Sequence, residues 1–266
     1  ECIAAGYPGE YSSLNGQLNG FKIDVSSFKN QQIDYEFAAL LAFCKLGEAV
    51  TFPEGSMQEY VSGLKDLAKK SGMPQSMFDN TLVFADSVSK KVLAWSKKDN
   101  YAQTRSAPRY TVIDTPGRWV PTPPAYASAL EPHWDEIRTM VMDSADQFIP
   151  PPPIPFNVTD KNGAYYKQVL ASKNAIDSLT DEQKHIAEFW DDLGGKLNVV
   201  GHISFVTKKF SPPGHWMNIV GIAAQKSKAD FRKTVAAYTL TSICMFDAFI
   251  QCWDEKFRSN MPRPET

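Results

Sequence analysis

A single long apolar run, residues 235–253, constrains the fold more than any other feature of this sequence. It is long enough for one helix to cross a lipid bilayer. However, Asp247 lies within it together with hydroxyl and amide side chains, and a charge at the centre of a membrane span is costly. We therefore predict that residues 228–257 form a buried core helix and that the chain has no transmembrane span.

Apolar residues recur at helical spacing in five other segments, which predicts an all-α fold. These segments are residues 33–50, 56–70, 75–96, 164–177 and 181–192. Thr180 and Gln183 have the spacing of a capping box, in which each side chain bonds the backbone N–H of the other residue. This pair predicts where the last of the five helices begins. No stretch of the sequence reads as a series of alternating strands.

Proline dominates the connections between these segments. Residues 99–124 contain five prolines and residues 150–153 are four prolines in succession, so we expect long Pro-rich loops, with one short strand at 110–113. Residues 1–30 are rich in Gly, Ser and Asn and have few periodic apolar positions. We predict an irregular N-terminal arm over residues 1–30 and a helical domain over 31–266.

Composition and motif content exclude several function classes. The net charge of −2 creates no extended field of one sign, so no nucleic-acid partner is expected. The sequence has no glycine-rich phosphate loop, no GxSxG turn and no HExxH motif. Its four cysteines and four histidines lack metal-ligand spacing, so no residues are predicted to ligate a metal ion directly. His185 is predicted to be exposed, and His215 to have a structural or pocket-lining role.

The four cysteines divide into two pairs. Cys244 and Cys252 lie in the apolar run and are predicted to be buried thiols. Cys2 fits a free thiol, a disulfide partner of Cys44 or the remnant of a lipoprotein anchor, and the sequence leaves these three interpretations open.

Two cations lie where the long helix must end. Pro262 and Pro264 prevent the helix from continuing, so the chain can bend Lys256 and Arg263 toward one point. An ammonium and a planar guanidinium together suit a tetrahedral oxyanion such as phosphate. The same two residues also suit the solvated end of a basic helix, where cations favour the helix dipole. The spacing alone leaves both interpretations open.

The Lys-x6-Arg-Pro sequence at 256–264 resembles the first signature of the superfamily that joins vanadium-dependent haloperoxidases and type 2 phosphatidic acid phosphatases. Further stretches resemble the haloperoxidase branch, in the same order along the chain. The first is ALEPHW at 129–134, followed by DQFIP at 146–150 and the proline run. The second is the segment 179–190, which contains TDEQ and ends in FW. The third is PGHW at 213–216, followed by the stretch 247–254, which begins with DA and ends with WD just before Lys256.

This resemblance implies an all-α helical bundle of the vanadium chloroperoxidase type with long Pro-rich loops. It implies that Lys256 and Arg263 are the catalytic and cofactor-binding residues, that vanadate is the cofactor with phosphate as an alternative occupant, and that the enzyme oxidises halide with hydrogen peroxide. The same site in an acid phosphatase would hydrolyse phosphate monoesters, which is the alternative function for a small-molecule substrate. A hypothesis of another class is a non-catalytic helical protein that binds an anion or a partner protein.

The resemblance also implies site residues beyond those printed here. In the family, a Ser-Gly-His segment follows, and then an Arg and the His that bonds to vanadium or accepts the phosphoryl group. Because neither follows Lys256 in this sequence, we expect a missing C-terminal segment of the same protein to supply them. Residues 31–266 would then be the N-terminal part of a larger domain, incomplete and inactive alone. The start at Glu1 and the habit of the family predict an exported or periplasmic bacterial protein, and oligomeric state is not indicated.

Overall fold

A computed structural model of the protein describes residues 1–123, 125–192, 195–208 and 210–264. The α-helices are α1 (Cys2–Gly6), α2 (Tyr35–Glu48), α3 (Gln58–Lys70), α4 (Gln75–Ser96), α5 (Tyr101–Thr104), α6 (Ala164–Asp177), α7 (Asp181–Trp190), α8 (Pro212–Lys226) and α9 (Phe231–Ser259). Short 3-10 turns occur at Ser26–Phe28 and Trp134–Glu136, and strands β1 (Gly195–Val200) and β2 (Ile203–Lys208) form an antiparallel hairpin. Helices hold 52% of the residues, which confirms the all-α prediction.

The five predicted helices before the long apolar run are confirmed. Helices α4 and α6 begin and end at the predicted residues, and α2, α3 and α7 agree to within two residues at each end. The capping box is also present. The Thr180 hydroxyl accepts the N–H of Gln183 at 3.2 Å, and the Gln183 side-chain oxygen accepts the N–H of Thr180 at 2.9 Å.

The predicted strand at 110–113 is wrong, because these residues have no regular structure. The Tyr110 ring instead packs against Trp119 and Phe257, with centroids at 6.2 and 5.3 Å. The hairpin formed by β1 and β2 was not predicted. Gly201 lies in the turn with φ of 59°. Hairpin turns favour glycine in this positive-φ conformation.

Helix α8 was not predicted, because it begins with two prolines. Pro212 and Pro213 lie in its first turn, where a missing N–H costs no helical hydrogen bond. The Ser211 side chain caps this turn by accepting the N–H of Gly214 at 3.2 Å.

The chain divides into two compact units, of which the first contains residues 1–102 and 229–236. Helices α2 and α4 pack together in this unit around Phe84, which is fully buried and makes edge contacts with Phe28 and Tyr35 at 5.1 and 5.4 Å. Thr81, also fully buried, accepts the N–H of Asp34 at 3.0 Å and so fixes the start of α2 against α4.

Residues 1–30 belong to this first unit and contribute side chains to its core. Cys2, Ile3, Phe21 and Ile23 are each no more than 5% exposed, although most of the segment lacks regular structure. Its apolar side chains pack into the core without the periodicity that a helix would show. The extent of the helical domain over 31–266 stays a prediction.

The second unit contains residues 103–228 and 237–266, and therefore most of α9. Asp247 and Ile250 are the buried residues of α9, so the prediction of a buried core helix is wrong for most of its length. The predicted burial of Cys244 and Cys252 is wrong for the same reason, since both are exposed. Cys2 and Cys44 are free and buried.

Helix α9 is long and apolar enough to cross a membrane, judged by length and composition alone. Only 11% of its most apolar window is buried in this structure. Core helices of soluble proteins have the same length and composition, so this gives weak support for a membrane span. The absence of a transmembrane span stays a prediction.

Candidate functional site

The two predicted site cations lie on either side of the end of α9. Asn260 follows the helix in the left-handed conformation that often terminates one, with φ of 46°, and its N–H donates to the Lys256 carbonyl at 3.2 Å. Pro262 and Pro264 then hold Arg263 beyond the helix. Burial, and then the positive charge of Arg263, lower the pKa of Lys256. The chain therefore brings both cations within electrostatic reach of each other.

The cations at the end of α9 differ in whether a carboxylate pairs with them. Among the described residues, no Asp or Glu forms a salt bridge with Lys256 or Arg263. The neighbouring Arg258 differs, because it pairs with Asp254 at 3.1 Å and also with Glu255. The positive charges of Lys256 and Arg263 are thus available to an anion. The charge of Arg258, which lies between them in sequence, is already paired.

An aromatic layer supports Lys256. The Lys256 ammonium lies 4.6 Å from the centroid of the Trp253 ring, an arrangement that favours the charged form of the lysine. Trp253 packs against Trp134 at 4.7 Å, and its Nε1 donates to the carbonyl of Leu130 at 3.1 Å. The ALEPHW turn therefore lies directly against the end of α9, although more than a hundred residues separate the two in sequence.

Asp247 fixes the turn at residues 140–142 to α9. Its buried carboxylate accepts the backbone N–H groups of Met140, Val141 and Met142 at 2.5, 2.8 and 3.1 Å. Three hydrogen bonds compensate for removing this charge from water. The one acidic group in the apolar run thus has a local structural role.

Arg263 borders a groove with a volume of about 650 Å³. Pro262 and Pro264 line the groove beside it, and the other walls come from residues 114–118, Val120, Phe156, Val158 and one side of α6. Arg118, on the groove wall, donates through Nη1 to the carbonyl of Ser259 at 3.2 Å. Arg263 itself is exposed at this groove.

Comparison with known proteins gives a clear structural relative. No protein-family model and no curated protein matches the chain. A solved structure of a bacterial vanadium-dependent iodoperoxidase is 38% identical and superposes with a TM-score of 0.84, covering 99% of this chain. Over the length that it spans, the chain belongs to the vanadium haloperoxidase superfamily. The all-α haloperoxidase-type fold is confirmed by the same relative.

The chain spans 61% of that iodoperoxidase. Vanadate is an oxyanion, so cations and N–H donors can bind its oxygens. The described ranges contain no group of three or more His, Cys, Asp and Glu residues that could hold a metal ion.

Lys256 and Arg263 fit vanadate chemically, because they supply several donors and positive charge that no carboxylate among the described residues pairs. Sequence reasoning missed one further feature of this helix end. The side-chain Nδ2 of Asn260, between the two cations in sequence, is buried and has no hydrogen-bond partner among the described residues. An Asn after a helix usually indicates only a C-terminal cap, so the sequence carried no signal of this unused donor.

His215 and His185 lie in or next to the stretches that resemble the haloperoxidase branch. His215 bonds Asp192 through Nδ1 at 2.6 Å and stacks on Trp190 with a centroid distance of 4.8 Å. Two stretches that resemble the family, at 179–190 and 213–216, are therefore in contact. His185 is exposed, as predicted.

His133 hydrogen-bonds at both ring nitrogens. Its Nδ1 is 2.7 Å from a carboxylate oxygen of Glu136, and its Nε2 is 2.8 Å from the carbonyl oxygen of Pro108. The Pro108 carbonyl and then the Glu136 carboxylate raise the pKa of His133, because both accept hydrogen bonds from the charged ring. His133 thus ties the loop at Pro108 to the turn that carries Trp134.

Proposed function

We propose that the protein carrying this sequence is a vanadium-dependent haloperoxidase, in which Lys256 and Arg263 hold vanadate and halide is oxidised by hydrogen peroxide. The observation that carries this proposal is the pair of cations at the end of α9, which influence each other electrostatically and have no carboxylate partner in the described ranges. The similarity to a bacterial iodoperoxidase supports halide as the substrate and makes iodide the first halide to test.

Each cation would have a distinct role. The fork of Arg263 would bind two oxygens of the anion and neutralise part of its charge. The Lys256 ammonium would donate to a third oxygen and stabilise negative charge that develops there. The Trp253 ring, at 4.6 Å, would hold this ammonium in place and favour its protonated form. Bound vanadate would supply Lewis acidity toward hydrogen peroxide.

The proposal includes a C-terminal segment of the same protein, outside the 266 residues considered. This segment would supply the Ser-Gly-His sequence, the second Arg and the His that the family resemblance implies. Residues 31–266 would be the N-terminal part of one larger domain, and would lack activity without the rest. An exported or periplasmic location is part of the same proposal.

The test is a set of activity measurements on the full-length protein. With vanadate, hydrogen peroxide and iodide or bromide, we expect halide oxidation that depends on vanadate and is lost in Arg263→Gln. The matched control is Arg258→Gln, which removes a paired arginine from the same helix end and should retain activity.

Two other results would contradict the proposal. Hydrolysis of a phosphate monoester, inhibited by vanadate and without halide oxidation, would assign the site to an acid phosphatase. Binding of vanadate or phosphate without either activity would assign the protein to the class of non-catalytic anion-binding helical proteins.

A further inference from the structure

Asn260 lies between the two cations in sequence, directly after the end of α9. It follows Lys256 by four residues, a spacing that places residues on one side of a helix, and Arg263 follows three residues later, beyond the helix. The hydrogen bond from the Asn260 N–H to the Lys256 carbonyl, at 3.2 Å, continues the helical pattern as far as Asn260. The Asn260 side chain therefore starts from the same side of the helix end as Lys256.

The backbone of Asn260 is fully used. Its N–H donates to Lys256, and its carbonyl accepts the N–H of Trp119 at 3.1 Å. The residue is 5% exposed, so its side-chain amide cannot rely on bulk water. Nevertheless Nδ2 has no partner among the described residues. Buried donors are nearly always satisfied in folded proteins, so this amide N–H calls for an acceptor.

We propose that the Asn260 side-chain amide is a third donor of the oxyanion site, hydrogen-bonding an oxygen of the anion that Lys256 and Arg263 hold. This inference rests on the proposed function. An amide suits a buried position that is close in sequence to two cations, because it donates a hydrogen bond without adding another positive charge. The chemistry recognised is that of a tetrahedral oxyanion, either vanadate or phosphate.

A purely structural role must be separated from this one, because Asn is also favoured in the left-handed conformation that ends a helix. Asn260→Gly separates the two roles. Glycine adopts φ of 46° without strain and keeps the backbone bonds, but it removes the amide. Asn260→Asp keeps the size of the side chain and replaces the donor with a carboxylate. Asn100→Gly is the matched control, since Asn100 also has positive φ, of 75°.

The experiment measures vanadate and phosphate binding to the full-length protein by calorimetry, together with unfolding in urea. We expect Asn260→Gly to bind vanadate about 10- to 100-fold more weakly, the range for one hydrogen bond to a charged group. Its stability should stay close to that of the wild type. Asn260→Asp should bind more weakly still, and Asn100→Gly should bind as the wild type does. The weakening seen with each anion identifies which of them the amide contacts.

The inference is overturned if Asn260→Gly binds both anions within about twofold of the wild type. A wild-type protein that binds neither anion would overturn the proposed function itself, which is a separate outcome. A second measurement covers the case in which Asn260→Gly fails to fold. In the wild type, the side-chain amide resonances of Asn260 should shift when vanadate is added, and unchanged resonances in a protein that binds vanadate would also overturn the inference.

Discussion

The Asp247 carboxylate accepts the backbone N–H of Val141 at 2.8 Å. The N–H groups of Met140 and Met142 bond the same carboxylate. One acidic side chain thus satisfies three consecutive donors of a turn and fixes that turn to α9. The single charge in the apolar run, which argued against a membrane span, has a structural reason to be there.

Asp247→Ala should therefore destabilise the protein by about 3 kcal/mol or more, because it leaves three backbone donors without their acceptor. Urea unfolding measures this change. Asp177→Ala is the control, since Asp177 forms an exposed i,i+4 ion pair with Lys173 on α6 and should cost no more than about 0.5 kcal/mol. Equal effects of the two substitutions would show that the three hydrogen bonds do not form.

Thr81→Val should cost about 1 to 3 kcal/mol despite the similar shape of the two side chains. The Thr81 hydroxyl accepts the N–H of Asp34 and donates to the Met77 carbonyl at 2.7 Å, and valine can do neither. Thr81→Ser keeps the hydroxyl and loses only a methyl group. Unfolding of both variants in urea should show the valine variant to be the less stable, and the reverse order would contradict this account of the contact between α2 and α4.

Arg263→Gln should raise the pKa of Lys256. Burial and then the charge of Arg263 lower this pKa, so removing the second cause leaves the pKa higher but still below its ordinary value. An NMR titration of the lysine ammonium groups measures the change directly. Arg258→Gln is the control and should leave the Lys256 pKa unchanged. An Lys256 pKa that does not move in Arg263→Gln would mean that the two cations lie apart.

Stability should fall as the pH rises from about 9 to about 11, in part because of Cys2. Burial raises the pKa of this thiol from 9.0 to about 11, so the folded state resists ionisation that the unfolded chain undergoes. The stabilisation is present below pH 9 and is lost toward pH 11, by about 2 to 3 kcal/mol for a difference of this size. Cys2→Ala should show a shallower alkaline loss in urea unfolding, whereas Cys244→Ala, which removes an exposed thiol, should follow the wild type.

Local signals predicted most of the helices. The capping box at Thr180 and the regular spacing in α4 and α6 need no distant partner, and those helices begin where predicted. Burial could not be predicted in the same way. The apolar run of α9 indicates that something covers it but not what does, which is why the exposure of Cys244 and Cys252 was missed.

In the candidate site too, local sequence signals predicted some features and could not predict those that depend on distant residues. Lys256 and Arg263 were identified from their spacing and from the family resemblance. The Trp253 ring beside Lys256 is held by a residue more than a hundred positions away, since its Nε1 donates to the Leu130 carbonyl. The unused donor of Asn260 could be recognised only once the burial of its side chain was known.

A crystal structure of the full-length protein with vanadate, or with tungstate as a heavier oxyanion, tests the central claim most directly. We predict that the oxyanion lies within hydrogen-bond distance of both the Lys256 Nζ and the Arg263 guanidinium. An oxyanion bound elsewhere, with these two side chains directed apart into solvent, would contradict the account.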